Sequence, residues 1–245
     1  MDVEKMRIAI GMLAAAVLMA ADPDYATPLA AKDYEKALGV LEEALKADPN
    51  SMKYGSEYRM ATIQAKQHDR CIKFLEGLAA ANPKSANLHL NHGFAYVDKI
   101  PVAGSITQVL LANTALGHFG KSIEIQPMWI ALYTRGNAYL FWPKIFKRMS
   151  LAIADLEQAM KMQKAGPKRV YHIRNYIALG DGYWKNDEPD RAKAIWQEGL
   201  REFPGNDPLK SRLAKTPEEM AALINDAYDP TKRVDTNLSE LWKTP

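Results

Sequence analysis

Three histidines have the spacing of a possible metal site. His89 and His92 are three residues apart, which places them on one face of a helix, and His118 falls in the following helical pattern. Three imidazoles in one helical hairpin are a ligand set for zinc or copper. In the alternative interpretation the rings pack between two helices, and the pattern favours it because His89 and His92 occupy positions that face the partner helix. We therefore expect no metal and no other cofactor.

A second candidate for chemistry is "ALGDGYWKNDEPDRA", residues 178–192, which combines a Gly-x-Gly step with several acidic residues. A dinucleotide-binding turn would follow a strand, and no strand is predicted before Gly180. A calcium loop would need ligands at alternate positions and a distal Glu, and this stretch lacks them. The helix dipole explains acidic residues near the start of a helix. With no nucleophile–base pair or paired carboxylates elsewhere, the chain is predicted not to be an enzyme.

The spacing in this stretch is explained by helix packing. An aromatic residue, leucine, glycine and tyrosine are followed by alanine, a second aromatic residue and proline, which are Tyr176, Leu179, Gly180, Tyr183, Ala192, Trp196 and Pro204. The first four form one stripe of a helix, the small residues allow two helices to approach closely, and proline ends the second helix. The pattern resembles the tetratricopeptide repeat, whose 34 positions are filled by residues 173–206.

The same register extends over roughly residues 28–206. Pro49 and Pro83 are 34 positions apart, and "NHGFAY" and "TRGNAY" supply the glycine and tyrosine of two further repeats. The predicted repeats are 28–51, 52–85, 86–128, 129–165 and 173–206, within an array spanning 22–206. Residues 207–245 are predicted to hold a capping helix, which begins near Thr216, and a tail. The resemblance implies an all-α, right-handed superhelix of about five helical hairpins with a C-terminal capping helix.

In this family, partners bind the concave face, which the first helix of each hairpin lines. Carried onto this chain, the register predicts a surface of amides, aromatic rings and charges that suits an extended peptide. An ordinary solvated face is the alternative. The residues concerned are Asn87, Asn91, Phe94, Tyr133, Asn137, Phe141, Arg174, Asp181 and Trp184.

Two insertions interrupt the register, at 97–107 and 140–150. Nineteen positions separate Tyr96 from Ala115, and thirteen separate Tyr139 from Ala152, against nine between Tyr183 and Ala192. Both insertions fall at turns of adjacent hairpins, so they should be neighbours that form a docking surface; the alternative is that they cover each other. The candidate residues are Ile100, Val102, Trp142, Lys144, Ile145, Phe146, Lys147 and Arg148.

Composition and the N-terminus limit the partners and the location. With 32 basic and 29 acidic residues the net charge is only +3, which does not favour nucleic acid. Ile8–Ala21 is apolar but short for a bilayer span, so residues 1–21 are predicted to be a signal peptide or anchor, with a first helix of the array as the alternative. This favours an exported, periplasmic or membrane-associated bacterial protein over a cytoplasmic one.

These patterns predict a non-catalytic scaffold or adapter that assembles a complex by binding another protein or a peptide. One alternative is a periplasmic small-molecule-binding or transport-accessory protein that uses the aromatic concave face. A further alternative is a metal or cofactor carrier that uses His89, His92 and His118. Membrane contact is expected, if at all, through the N-terminus or the 140–150 turn.

Overall fold

The computed structural model describes residues 22–243, and over this range the chain is helical and contains no strand. The predicted signal peptide or anchor at residues 1–21 lies outside the described residues. The helices are α1 Ala26–Ala30, α2 Tyr34–Ala47, α3 Met52–Gln64, α4 His68–Ala81, α5 Ala86–Lys99, α6 Ser105–Ile125, α7 Trp129–Tyr139, α8 Met149–Ala165, α9 Ile173–Lys185, α10 Pro189–Glu202, α11 Asp207–Ala214, α12 Pro217–Ala227 and α13 Glu240–Lys243. The predicted all-α array of hairpins is confirmed. No helix in this part of the chain is both long and apolar enough to cross a membrane.

Local sequence sets the helix ends. The side chains of Asp33, Ser51 and Asn206 each accept a hydrogen bond from a backbone N–H in the first turn of the following helix. Thr216 and Glu219 form a reciprocal capping box at the start of α12, the predicted capping helix. Prolines follow the ends of several second helices and prevent them from continuing.

Glycines on the first helices of three hairpins determine how closely the second helix approaches. A Cβ atom added at Gly93 would lie 2.7 Å from Cδ1 of Phe119, and one added at Gly136 would lie 2.7 Å from Cγ of Leu156. The same contact recurs between Gly180 and Trp196. These contacts close-pack the two helices of each of these hairpins, and the buried side chains belong to two apolar clusters.

The two insertions differ in structure from the expectation of long turns. Most of the first insertion is helical, because α6 starts at Ser105 and runs for 21 residues. Only a short 3-10 segment, Ile100–Val102, and two further residues connect it to α5. The second insertion is a true turn, with a 3-10 segment at Lys144–Phe146 followed by Lys147 in the left-handed conformation (φ 51°). The extra residues therefore lengthen one helix and widen one turn.

Candidate functional site

The concave face of the array is occupied by the chain's own C-terminal segment, residues 229–243. Guanidinium Nη2 of Arg59 donates to the carbonyl oxygen of Thr236 at 2.8 Å, and Ser56 Oγ accepts from the backbone N–H of Leu238 at 3.3 Å. The Thr236 hydroxyl donates to the carboxylate of Asp98. The segment thus returns from the last helices to α3 and α5 near the beginning of the array.

Farther along, the C-terminal segment contacts α9 and the apolar interior. Arg174 of α9 forms an ion pair with Glu240 at 3.1 Å. The Leu238 side chain is buried in the cluster that contains Leu90 and Phe94. The segment is therefore held at both ends of its path, by charge at α9 and by apolar contact nearer the start of the array.

A central cavity of about 540 Å³ lies between this segment and the array. Tyr133, Asn137 and Phe141 contribute from α7 and its C-terminal end, and residues of the C-terminal segment form another wall. Tyr133 stacks on Trp129 with ring centroids 5.1 Å apart, and burial raises the pKa of its hydroxyl to about 12, so the group is neutral at physiological pH. The cavity is mainly apolar, and its size is within the range of ligand-binding pockets.

The two insertions meet at this cavity, as the register predicts. Ile100 and Phe146 both line it, and Arg148 Nη2 donates to Asn113 Oδ1 on α6 at 2.9 Å. Several apolar side chains from the two insertions and the adjoining start of α6 remain exposed, and we call five of them the apolar rim: Val102, Ile106, Val109, Ile145 and Phe146. Ile106 and Ile145 are 84% and 82% exposed, respectively, which is unusual for residues of this type.

The cations beside the apolar rim are partly engaged. Lys144 forms an exposed ion pair with Asp187 at 2.7 Å. The guanidinium of Arg148 lies 3.7 Å from the centre of the Trp142 ring and covers it. The expectation that Trp142 is a free docking residue is corrected, because the ring is buried under Arg148 and against Phe146. Lys147 is exposed and lies at the end of the same turn.

Two predicted concave-face residues are also corrected. Asn91 is buried, with its Oδ1 accepting from Arg59 Nε at 3.0 Å. Asp181 is fully buried and accepts from Nε and Nη2 of Arg212 at 2.6 and 2.7 Å and from the Tyr228 hydroxyl at 2.9 Å. Neither side chain is available to an external partner, because other residues of the chain use these polar groups.

The other predicted concave-face residues occupy different environments. Asn87 is hydrogen-bonded to Asn50, with its Nδ2 donating to the Asn50 carbonyl at 2.9 Å. Phe94 is buried and carries the Arg59 guanidinium 4.7 Å from the centre of its ring. Trp184 packs in the interior near Trp196 and does not line the cavity.

The three histidines form a stack of rings. The centroids of His92 and His118 are 4.0 Å apart, and those of His89 and His118 are 6.0 Å apart. Burial, reinforced by the neighbouring histidines, lowers the pKa of His92 to about 3 and that of His118 to about 4. Between residues 22 and 243, no group of three or more His, Cys, Asp or Glu side chains is arranged to hold a metal ion.

Sequence reasoning missed two parts of this site, Arg59 and the C-terminal segment. Arg59 occupies the glycine position of its repeat and is completely buried, with Nη1 2.8 Å from the carboxylate of Asp98. A large cation at a position that normally requires a small residue implies a buried partner. That signal could have directed attention to Asp98 and, beyond it, to the segment around Thr236.

The fold and the occupied groove define the chain as a helical-hairpin repeat protein. Residues 29–90 match the family described as "Tetratricopeptide repeat". The match covers the first two hairpins of the array and the start of α5, and the remaining described residues continue the same pattern of helical hairpins.

Solved structures share this fold. A thermophilic tetratricopeptide repeat protein of Thermus thermophilus, TTC0263, matches with a TM-score of 0.54 at 20% identity, covering 78% of this chain and 93% of that one. A crystal structure of MamA matches with a TM-score of 0.52 at 17% identity, covering 74% and 95%. A further MamA structure gives 0.51 at 16% identity, covering 78% and 92%. No curated protein sequence matches this chain.

Proposed function

We propose that the chain is a non-catalytic scaffold that docks a partner protein on the apolar rim. The observation that carries this proposal is the exposure of Ile106, Ile145 and Phe146 beside the central cavity. Exposed apolar side chains on a turn and on the adjoining start of a helix are costly in water and stabilise a complex when a partner buries them. Lys144 and Lys147 flank the rim and favour a partner that carries acidic residues next to its apolar anchors.

The N-terminal apolar stretch supports a location outside the cytoplasm, either exported or tethered to a membrane. N-terminal sequencing of the protein from its native source tests this. Removal of residues near Ala21 supports export, and an intact N-terminus on a protein in the cytoplasmic fraction contradicts it.

The docking proposal is tested with the full chain carrying Ile145→Ser and Phe146→Ser. Partners are crosslinked and purified from native-source cells, and the purified partner is then titrated against each variant. We expect the affinity to fall about 10- to 100-fold, because two buried apolar anchors are lost. The matched control is Val170→Ser, which removes another exposed apolar side chain, from the turn before α9. Equal affinity for the double variant and the control contradicts docking at the rim.

A second candidate function, small-molecule binding, is favoured by the volume of the central cavity. Native mass spectrometry of freshly purified protein should then show a bound mass that is lost on denaturation. A screen that finds neither such a mass nor any stabilising small molecule contradicts this function. The contacts of the three histidine rings with one another favour packing between the two helices over a metal carrier.

A further inference from the structure

Residues 234–242 are held by the array in the way that a separate peptide would be held. The chain is anchored at Tyr228, runs exposed from residue 230 to residue 235, and is buried again only at Thr236. The exposed connection separates the anchored residues from the capping helices that precede them. The anchored residues therefore behave as a tethered ligand.

The array satisfies main-chain groups of this extended stretch with side chains. Arg59 donates to the Thr236 carbonyl, and Ser56 accepts from the Leu238 N–H. The stretch supplies other partners itself, since the side chains of Asp235 and Asn237 accept from backbone N–H groups two residues later, at 3.0 and 2.8 Å. Side chains that pair with the main chain of an extended segment are characteristic of peptide recognition, because they do not depend on that segment's sequence.

Three side chains at alternate positions of the stretch make contacts that depend on sequence, and Leu241 and Trp242 add partly buried apolar contacts. The Thr236 hydroxyl donates to Asp98, the Leu238 side chain is buried in the apolar cluster with Phe94, and Glu240 pairs with Arg174. The residue between the first two is exposed. The site therefore selects a hydroxyl residue, then leucine two positions later, then an acidic residue two positions after that.

We propose that this site is a peptide-recognition site, that residues 234–242 are its built-in competitor, and that a partner segment of the pattern Ser/Thr-x-Leu-x-Asp/Glu replaces them. A tethered ligand is present at an effective concentration of roughly millimolar, so it keeps the site closed to weak ligands and yields to tight or abundant ones. The apolar rim adjoins this site, and the proposal does not depend on docking there.

The test uses the full chain and a fluorescein-labelled peptide with the sequence of residues 233–243. Thr236→Ala with Leu238→Ser removes two anchors of the competitor and leaves the array unchanged. We expect the labelled peptide to bind this variant at least about 10-fold more tightly than the wild type, measured by fluorescence anisotropy. Val234→Ser, which changes an exposed side chain of the same stretch, should bind as the wild type does.

Three further arms make the result specific. A peptide with serine in place of the leucine that corresponds to Leu238 should lose binding to the loosened variant. Arg174→Gln in that variant should weaken binding several-fold, because the acidic residue of the peptide loses its partner. Ile106→Ser with Ile145→Ser, two rim residues that do not line the central cavity, should leave peptide binding unchanged, so that failure of this proposal and failure of rim docking are read separately. No binding to the loosened variant, or equal binding to it and to the wild type, overturns the proposal.

A measurement on the wild type covers the case in which the loosened variant does not fold. Unlabelled peptide in excess should raise the hydrogen-exchange rate of the backbone amides at residues 236–242, because the displaced stretch becomes solvated. The serine-substituted peptide is the control and should leave those rates unchanged. Unchanged exchange with the native-sequence peptide overturns the proposal by itself.

Discussion

Gly180→Ala should destabilise the protein although alanine is the better helix former. A Cβ atom at this position would lie 2.7 Å from Cε2 of Trp196 and closer still to Nε1 and Cδ1 of the same ring. Carbon atoms in good contact are about 3.5–4.0 Å apart, so the overlap is about 1 Å over several atoms. Trp196 is 2% exposed and has no solvent-facing space to move into.

The size of the effect follows from two opposing contributions. Overpacking a close-packed interior costs about 1–3 kcal/mol, and the upper end applies because three ring atoms overlap. The gain in helix propensity from glycine to alanine offsets about 1 kcal/mol. The net loss in the free energy of unfolding is therefore about 2 kcal/mol, which lowers Tm by about 4–8 °C in a chain of this length.

Urea and thermal unfolding followed by circular dichroism measure this loss. Gly77→Ala is the matched control, because it makes the same substitution inside α4 with nothing within 4 Å of the new atom, and it should stabilise the protein by about 0.5–1 kcal/mol. In a Trp196→Leu background, Gly180→Ala should become nearly neutral. If Gly180→Ala stabilises the wild type as much as Gly77→Ala does, the packing explanation is wrong.

Two further predictions concern buried charge. Asp181→Ala should lower the free energy of unfolding, measured in urea titrations, by about 3–5 kcal/mol because Arg212 stays buried without its counter-ion. Lys144→Ala removes an exposed ion pair and should lower the free energy of unfolding by less than about 1 kcal/mol. Similar losses in the two variants would refute the argument. His92 and His118 have native pKa values below the ordinary 6.5, so the unfolded chain binds more protons as the pH falls from 6.5 towards 4. The free energy of unfolding should be at its full value above pH 6.5, and the contribution of His92 alone should lower it by about 2 kcal/mol at pH 5. In His92→Phe the free energy of unfolding should fall less steeply as the pH is lowered. A free energy of unfolding that does not change with pH in the wild type would contradict this.

The hairpin packing was predictable from the sequence because it depends on local spacing. Gly93, Gly136 and Gly180 each lie where the register requires a small residue, and each is in close contact with a large residue of the following helix. Such contacts are made between helices adjacent in the chain, and the spacing of one repeat is enough to specify them.

The occupied groove was not predictable in the same way. The register correctly assigns Asn91 and Asp181 to first helices, but it contains no information about residues more than a repeat away. Arg212 and the C-terminal segment meet those helices only after the whole array has formed. The prediction of exposed apolar side chains at the insertions agreed better with the structure than the prediction for the concave face did. The register assigns these apolar side chains no partner on a neighbouring helix. Trp142 was misplaced, since the sequence did not reveal that Arg148 would cover it.

The C-terminal segment also has a mechanical consequence for the array. Arg59 and Thr236 are 177 positions apart in the chain, and Ser56 and Leu238 are 182 apart. In a solenoid each repeat contacts only its neighbours, so the superhelical pitch of the array changes easily. Here the C-terminal segment links the second hairpin to the last ones, and this link restricts changes in the superhelical pitch of the array. A pulling force applied to the two ends would have to break this link before the coils could extend.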